Sequence, residues 1–215
     1  MNNNYFRQGR KIYTKNLLPG RKVYGEQLED IGKIEYRQWD IRRSKLAAAI
    51  AKGLKDIIIK EGDTVLYLGA SSGTTPSHIS DLVGEKGFVF AVDFAPRVVR
   101  ELVFLCEQRK NMTPILADAS DIDELAKKVT MADVVYQDIA QREQTKIFLD
   151  NVEMFLKQDG TAFLAVKARS INVAEQPQKL FNKVREELKP RVIIIEQINL
   201  EPFEKDHCMF VVKKK

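Results

Sequence analysis

The chain has 215 residues, 44% of them hydrophobic and 30% charged. That is enough for one full domain with a small addition, and too apolar for a disordered polymer. No run approaches the roughly 18 apolar residues of a membrane span, and the opening MNNNYFRQGR lacks the apolar core of a signal peptide, so no leader is expected.

The 35 basic and 30 acidic residues leave a net charge of +5, and the excess is uneven. Residues 1–25 hold Arg7, Arg10, Lys11, Lys15, Arg21 and Lys22 and no acid. A basic opening of this kind suits a polyanionic partner and, equally, a solubilising surface. Cys106 and Cys208 are the only cysteines. With two histidines, they offer no zinc-like spacing, so no metal is expected and a reduced cytoplasmic setting is.

In chain order, residues 1–40 read as a small antiparallel β domain. Strand candidates at 12–14, 22–24 and 33–36 are broken by Pro19-Gly20, Gly25 and Gly32. Trp39 marks a junction. Residues 44–55, SKLAAAIAKGLK, combine strong helix formers with an apolar stripe at Leu46, Ala49, Ile50 and Leu54. Arg42, Arg43 and Lys45 crowd the start of that helix, where cations oppose the helix dipole. That cost gives a functional use weight beside the ordinary reading of a charged surface turn.

Residues 41–215 then alternate strand and helix. VLYL at 65–68 reads as a buried strand, followed by GASSGTT and a helix over 76–83. Gly69 and Ala70 end the strand, and Gly73 permits a tight turn and close approach to a ligand. Thr74 and Thr75 are expected to cap the helix and offer hydroxyls to a ligand carboxylate. GASSG completes neither a dinucleotide fingerprint nor a P-loop. The second strand, GFVFAV at 87–92, ends at Asp93, about 20 residues past the turn, where an acid suits ribose hydroxyls. A third strand at 115–117 leads to Asp118 and Ala119, placed for an adenine amino group. With no second phosphate-binding device, S-adenosylmethionine is favoured over NAD. Further strands at 133–137, 160–167, 191–197 and 208–213, with helices at 96–110, 125–129, 144–155 and 176–188, give a Rossmann-like α/β sheet of seven mostly parallel strands with one antiparallel edge element.

Polar residues interrupt the apolar pattern at Lys45, Asp138, Lys167 and His207. Asp138 and Lys167 fall at C-terminal strand ends, where open α/β sheets bind ligands. His207 joins them only if the last strand runs antiparallel. Each lysine taken singly reads as a surface ion pair, and His207 taken singly as a structural histidine. Their common edge is what points to chemistry. His78, inside the first helix after the turn, is expected to pack or cap.

The segments EYRQW, RSKLAAAI, VLYLGASSGTT, SHISDLVG, FAVDF, VVYQDIAQREQ, AVKARSI and LEPFEKDHCMFVV, spread over nearly the whole chain, together resemble the fibrillarin family in its short archaeal form. The resemblance implies an S-adenosylmethionine-dependent RNA 2′-O-methyltransferase of box C/D ribonucleoproteins, acting on rRNA and tRNA. It implies a guide RNA, a Nop5/Nop56/58-type scaffold protein and an L7Ae-type RNA-binding protein as partners, with a homodimer not required. It assigns catalysis to Lys45, Asp138, Lys167 and His207. Cofactor binding falls to Gly69, Ala70, Gly73, Thr74 and Thr75, to Asp93 with Phe94 beside the adenine, to Asp118 and Ala119, and to Asp138 and Gln141 near the methionine end. This chain departs from the family in having Asp93 for a usual glutamate, Asp40-Ile41-Arg42 for a common Asn-Pro-Phe, and Arg142 for a common proline.

On this reading Lys167 lowers the cost of a developing alkoxide or takes its proton, Asp138 orients that lysine, and Lys45 and His207 position the ribose and its phosphate. No RRM or KH signature supplies sequence reading, so specificity is expected from the partners. The rival readings are a methyltransferase acting on protein glutamine or a small molecule, and a binding module that has lost catalysis.

Overall fold

A computed structural model describes residues 4–9, 11–55 and 58–215. Four short strands come first: β1 (Tyr5–Gln8), β2 (Lys11–Lys15), β3 (Leu28–Ile31) and β4 (Ile34–Trp39). They form an antiparallel sheet in the order β1-β2-β4-β3. The candidate at 22–24 is not a strand. Glu26 accepts the N–H groups of Val23 and Tyr24 at 2.9–3.1 Å, which curls this stretch into bends.

The remainder runs α1 (Lys45–Ala51), β5 (Thr64–Leu68), α2 (Thr74–Val83), β6 (Phe88–Asp93), α3 (Pro96–Gln108), β7 (Met112–Leu116), α4 (Ile122–Ala126), β8 (Ala132–Gln137), α5 (Gln144–Phe155), β9 (Leu156–Lys167), α6 (Ala168–Ile171), α7 (Pro177–Leu188), β10 (Val192–Asn199) and β11 (His207–Lys214). The seven-stranded sheet has the order β10-β11-β9-β8-β5-β6-β7. Its five central and right-hand strands are parallel, and β11 pairs antiparallel with both β9 and β10. The reversed strand is therefore inserted one place in from the edge rather than forming it.

Alternation along β5 explains the two layers. Leu66 and Leu68 face one core, which Phe148, Val152, Leu180 and Val184 of α5 and α7 complete. Val65 and Tyr67 face the other, shared with Leu46 and Ile50 of α1, Ile79 and Leu82 of α2, and Ile12 and Trp39 of the small sheet. Helix α1 stops at Ala51, short of the expected residue 55, because Gly53 takes φ +101°.

The small sheet is fastened to α2 by buried charge. Arg37 Nε donates to Glu26 at 2.6 Å and Nη1 to Asp81 at 2.7 Å, while Arg109 Nη1 reaches the other Asp81 oxygen at 2.8 Å. These four side chains are at most 1% exposed. Burial alone would raise the Glu26 carboxyl, but Arg37 and the Tyr24 and Val23 N–H groups outweigh it and hold it below its ordinary range. His78 completes the seam. Thr14 donates to Asp81 and so accepts from His78 Nδ1 at 2.7 Å, leaving His78 Nε2 to accept from Tyr24 at 2.8 Å. Its ring stacks on Trp39, with centroids 4.8 Å apart. Burial, then Arg37 and Arg109, push the imidazole well below its usual range, so His78 is a neutral packing residue.

Candidate active site

Strand order reverses between β5 and β8, and such a switch point opens a crevice at the strands' carboxyl ends. Gly69 and Asp138 meet there. Asp138 N–H donates to the Leu68 carbonyl at 2.8 Å, and a Cβ on Gly69 would stand 2.1 Å from the Asp138 carbonyl oxygen. Only glycine lets the two strand ends approach this closely, and its φ of +87° asks for glycine as well. Gly73 (φ +96°) caps α2 through its backbone. Thr74 and Thr75 are thus not caps. They are the first two helical residues, at the positive end of the helix dipole. Thr75 Oγ1 is already committed, donating to Ser44 Oγ at 3.0 Å.

The two further acids follow the strands around the crevice. Asp93 ends β6. Its Oδ2 accepts from Ser71 N–H at 2.8 Å and its Oδ1 from Ala95 N–H at 3.0 Å. Each oxygen keeps a second lone-pair site, the right residual capacity for a pair of ribose hydroxyls. Phe94 beside it is 64% exposed. Asp118 follows β7, with Ala119 buried next to it. The Ser120 N–H and hydroxyl, with a smaller contribution from Gln141, hold the Asp118 carboxyl below its ordinary range. The Gln141 side chain thus stands beside Asp118.

Lys45, the first residue of α1, extends its ammonium to Asp138 Oδ2 at 2.9 Å, with the two side chains 20% and 21% exposed. Asp138 thus orients Lys45, not Lys167 as the sequence reading had it. Lys167 ends β9 directly opposite His207 in the antiparallel register, so reversal of β11 does bring the histidine to this edge. The Lys167 side chain is exposed. His207 Nδ1 lies 2.6 Å from the Lys205 carbonyl. A carbonyl only accepts, so Nδ1 carries the proton and Nε2 is an acceptor. Burial first, and then Lys45, push His207 below its usual range against the opposing pull of the Lys205 carbonyl, Glu204 and Asp138. The imidazole is neutral at neutral pH.

Three supporting residues escape a reading of chemistry-bearing types. Gln144 accepts from Lys167 N–H at 3.2 Å and donates to the Lys167 carbonyl at 3.4 Å, clamping the backbone beneath that lysine. Gln137 donates to the Gln144 carbonyl at 2.7 Å. Ser44 caps α1, accepting from Ala47 N–H at 3.3 Å. A serine just before an apolar helical stripe signals that cap, but nothing in its type signals the contact with Thr75.

An open sheet in this order, with one reversed strand next to its edge, is the Rossmann-like fold of the class I methyltransferases, whose ligand edge is the switch point just described. The chain belongs to the fibrillarin family, whose sequence model matches residues 2–215. It is 52% identical over 204 residues to the fibrillarin-like rRNA/tRNA 2′-O-methyltransferase of Thermococcus onnurineus, covering 95% of this chain and 90% of the relative. It superposes on the Aeropyrum pernix fibrillarin in complex with natively bound S-adenosyl-L-methionine (TM-score 0.87, 43% identity, 94% and 88% of the chains). It also superposes on the fibrillarin of a fibrillarin/Nop5p complex (TM-score 0.90, 36% identity, 99% and 98%).

Proposed function

We propose that this chain methylates ribose 2′-hydroxyls of rRNA and tRNA with S-adenosylmethionine, as the catalytic subunit of a guide-directed box C/D ribonucleoprotein in the archaeal cytoplasm. One observation carries the reading: the Lys45–Asp138 pair stands at the switch point, next to the neutral His207 and the lysine it faces across the sheet. Family membership, the cofactor seen in the Aeropyrum relative and the scaffold seen with another relative support it.

Asp93 and Asp118 would hold the nucleoside through its hydroxyl and amino donors, and the first turn of α2 would receive the carboxylate of the amino-acid end. When bound, S-adenosylmethionine supplies the methyl group on a sulfonium. Asp138 keeps the Lys45 ammonium fixed, and its negative charge would favour that cationic centre. His207 Nε2 accepts the proton of the 2′-hydroxyl, and Lys167 stabilises the oxygen as its charge develops. Most of the catalytic effect is orientation and fixed charge.

The test compares methylation with and without guide RNA, a Nop5-type scaffold and an L7Ae-type protein, read as protection of one RNA linkage from alkaline cleavage. Full guided activity from the isolated chain would refute the partner dependence, and calorimetric preference for NAD would refute the cofactor. The single-turnover rate should fall on acidification below pH 6.5, with the midpoint set by His207. A His207→Gln enzyme that kept this acid limb would remove His207 from proton transfer.

A further inference from the structure

Residues 44 and 45 are adjacent, yet their side chains reach two different walls of the crevice. Lys45 reaches Asp138 after β8 at 2.9 Å, and Ser44 meets Thr75 in the first turn of α2 at 3.0 Å. Ser44 and Thr75 are nearly sealed from solvent, at 2% and 6% exposure. The Ser44 oxygen accepts two bonds at once, from Thr75 Oγ1–H and from the Ala47 N–H. One oxygen thus both starts α1 and fastens that start to the glycine-turn helix. Lysine has a long side chain with high rotamer entropy, so its ammonium is placed reliably only if its backbone is fixed. The sequence offers the Thr75 hydroxyl to a ligand carboxylate, whereas here it is spent inside the protein.

We propose that Thr75 and Ser44 are positioning residues: their hydroxyl bond ties the cofactor-loop helix to the start of α1 and thereby sets where the Lys45 ammonium stands. The inference rests on the reading of Lys45 as part of the methyl-transfer site. It makes the glycine loop more than a cradle, because the same turn that receives the cofactor also fixes the height of the lysine above Asp138. A shift of about an ångström at that lysine is enough to slow an oriented reaction by roughly ten- to a hundredfold.

Thr75→Val is the probe: it deletes the hydroxyl at nearly constant volume, ends its contact with the buried Tyr67 phenol as well, and leaves Ser44 free to cap Ala47. Thr75→Ser restores the hydroxyl. Three measurements are made on each variant. The first is calorimetric affinity for S-adenosylmethionine. The second is acylation of the Lys45 amine by a succinimidyl ester in cofactor-free protein, followed by peptide mass. The third is the single-turnover rate of the assembled particle. T75V should leave the affinity within about twofold, raise Lys45 acylation several-fold and slow the rate roughly ten- to a hundredfold, with T75S restoring both. Added to K45A, T75V should cost less than about twofold more, because coupled residues are not additive.

Weakened affinity with unchanged acylation would give the hydroxyl back to the ligand and overturn the proposal. Unchanged acylation and rate would overturn it too, as would losses that multiply with those of K45A. If T75V does not fold, Thr75→Ala removes the same hydroxyl without adding bulk and carries the same expectations. A wild-type particle without methylation would sink the functional reading, while the acylation result would still decide the tie.

Discussion

Two of the cation–carboxylate groups in this fold differ sharply, one beneath the N-terminal sheet and one at the ends of the parallel strands. In the first, Arg37, Glu26, Asp81 and Arg109 are at most 1% exposed, and each carboxylate is bonded by several donors. In the second, Lys45 and Asp138 share one bond and remain about one-fifth exposed. Burying charge is costly and is repaid only when the buried groups are bonded; here both carboxylates are saturated, and although Arg109 Nε lacks a partner, burial keeps the cluster out of a substrate's reach. The second keeps spare bonding capacity and access. Burial and saturation, rather than charge, separate a fastening from a working site.

The largest test of that contrast is Arg37→Met. It strands Glu26 and takes one partner from Asp81 in a dry interior, and removing one member of a buried pair costs about 3–5 kcal/mol. Urea denaturation should show that loss. The fraction still folded under permissive conditions should bind S-adenosylmethionine as wild type does. A loss under about 1 kcal/mol would mean that water enters the seam, and the cluster would rank with surface pairs.

Lys45→Ala should do the reverse. An ion pair this exposed contributes about 0–1 kcal/mol to stability, so the denaturation midpoint should hardly move. The methyl-transfer step at saturating RNA and cofactor should slow about a hundredfold, near 2.7 kcal/mol of barrier. A rate equal to wild type would return Lys45 to the class of solvated helix-start lysines.

The two regions were unequally legible in the sequence. The site edge was readable because strand ends are abrupt. VLYL ends at Gly69, FAV at Asp93 and VVYQ at Asp138, and α5 spans residues 144–155 as its pattern indicates. His207 was legible only conditionally, since strand direction is set by sheet pairing and not by local pattern. The seam was not legible. Nothing local to Arg37 in EYRQW or Asp81 in SHISDLVG signals burial, and only tertiary pairing buries them. Strands β1 and β3 are four residues each and only partly covered, too short for alternation to register. The Ser44–Thr75 contact spans 31 residues between two common hydroxyls, and no single-residue signal marks such a pair.

Acid sharpens the comparison through its two histidines, one in each region. His78 is held well below its usual range and His207 less so, both chiefly by burial. A histidine kept neutral in the fold takes its proton only after unfolding, so the unfolded chain binds more protons below pH 6.5 and stability falls as pH falls through that window. The lowered carboxyls, among them Glu26, Asp118, Asp133 and Asp150, act in the same direction but only near and below their unfolded values of about 4–4.5. Between pH 6.5 and 5 the slope therefore belongs mainly to the histidines, at up to about 1.4 kcal/mol per pH unit for each. His78→Phe should lower stability at every pH, because Thr14 and Tyr24 each lose one of their buried partners, and should flatten this slope by most of one proton. His207→Gln should flatten it less while abolishing the acid limb of the rate. If the His78→Phe protein kept the wild-type slope, the seam would be admitting a proton in the folded state, and the distinction between a closed cluster and an open site would fail at its most buried member.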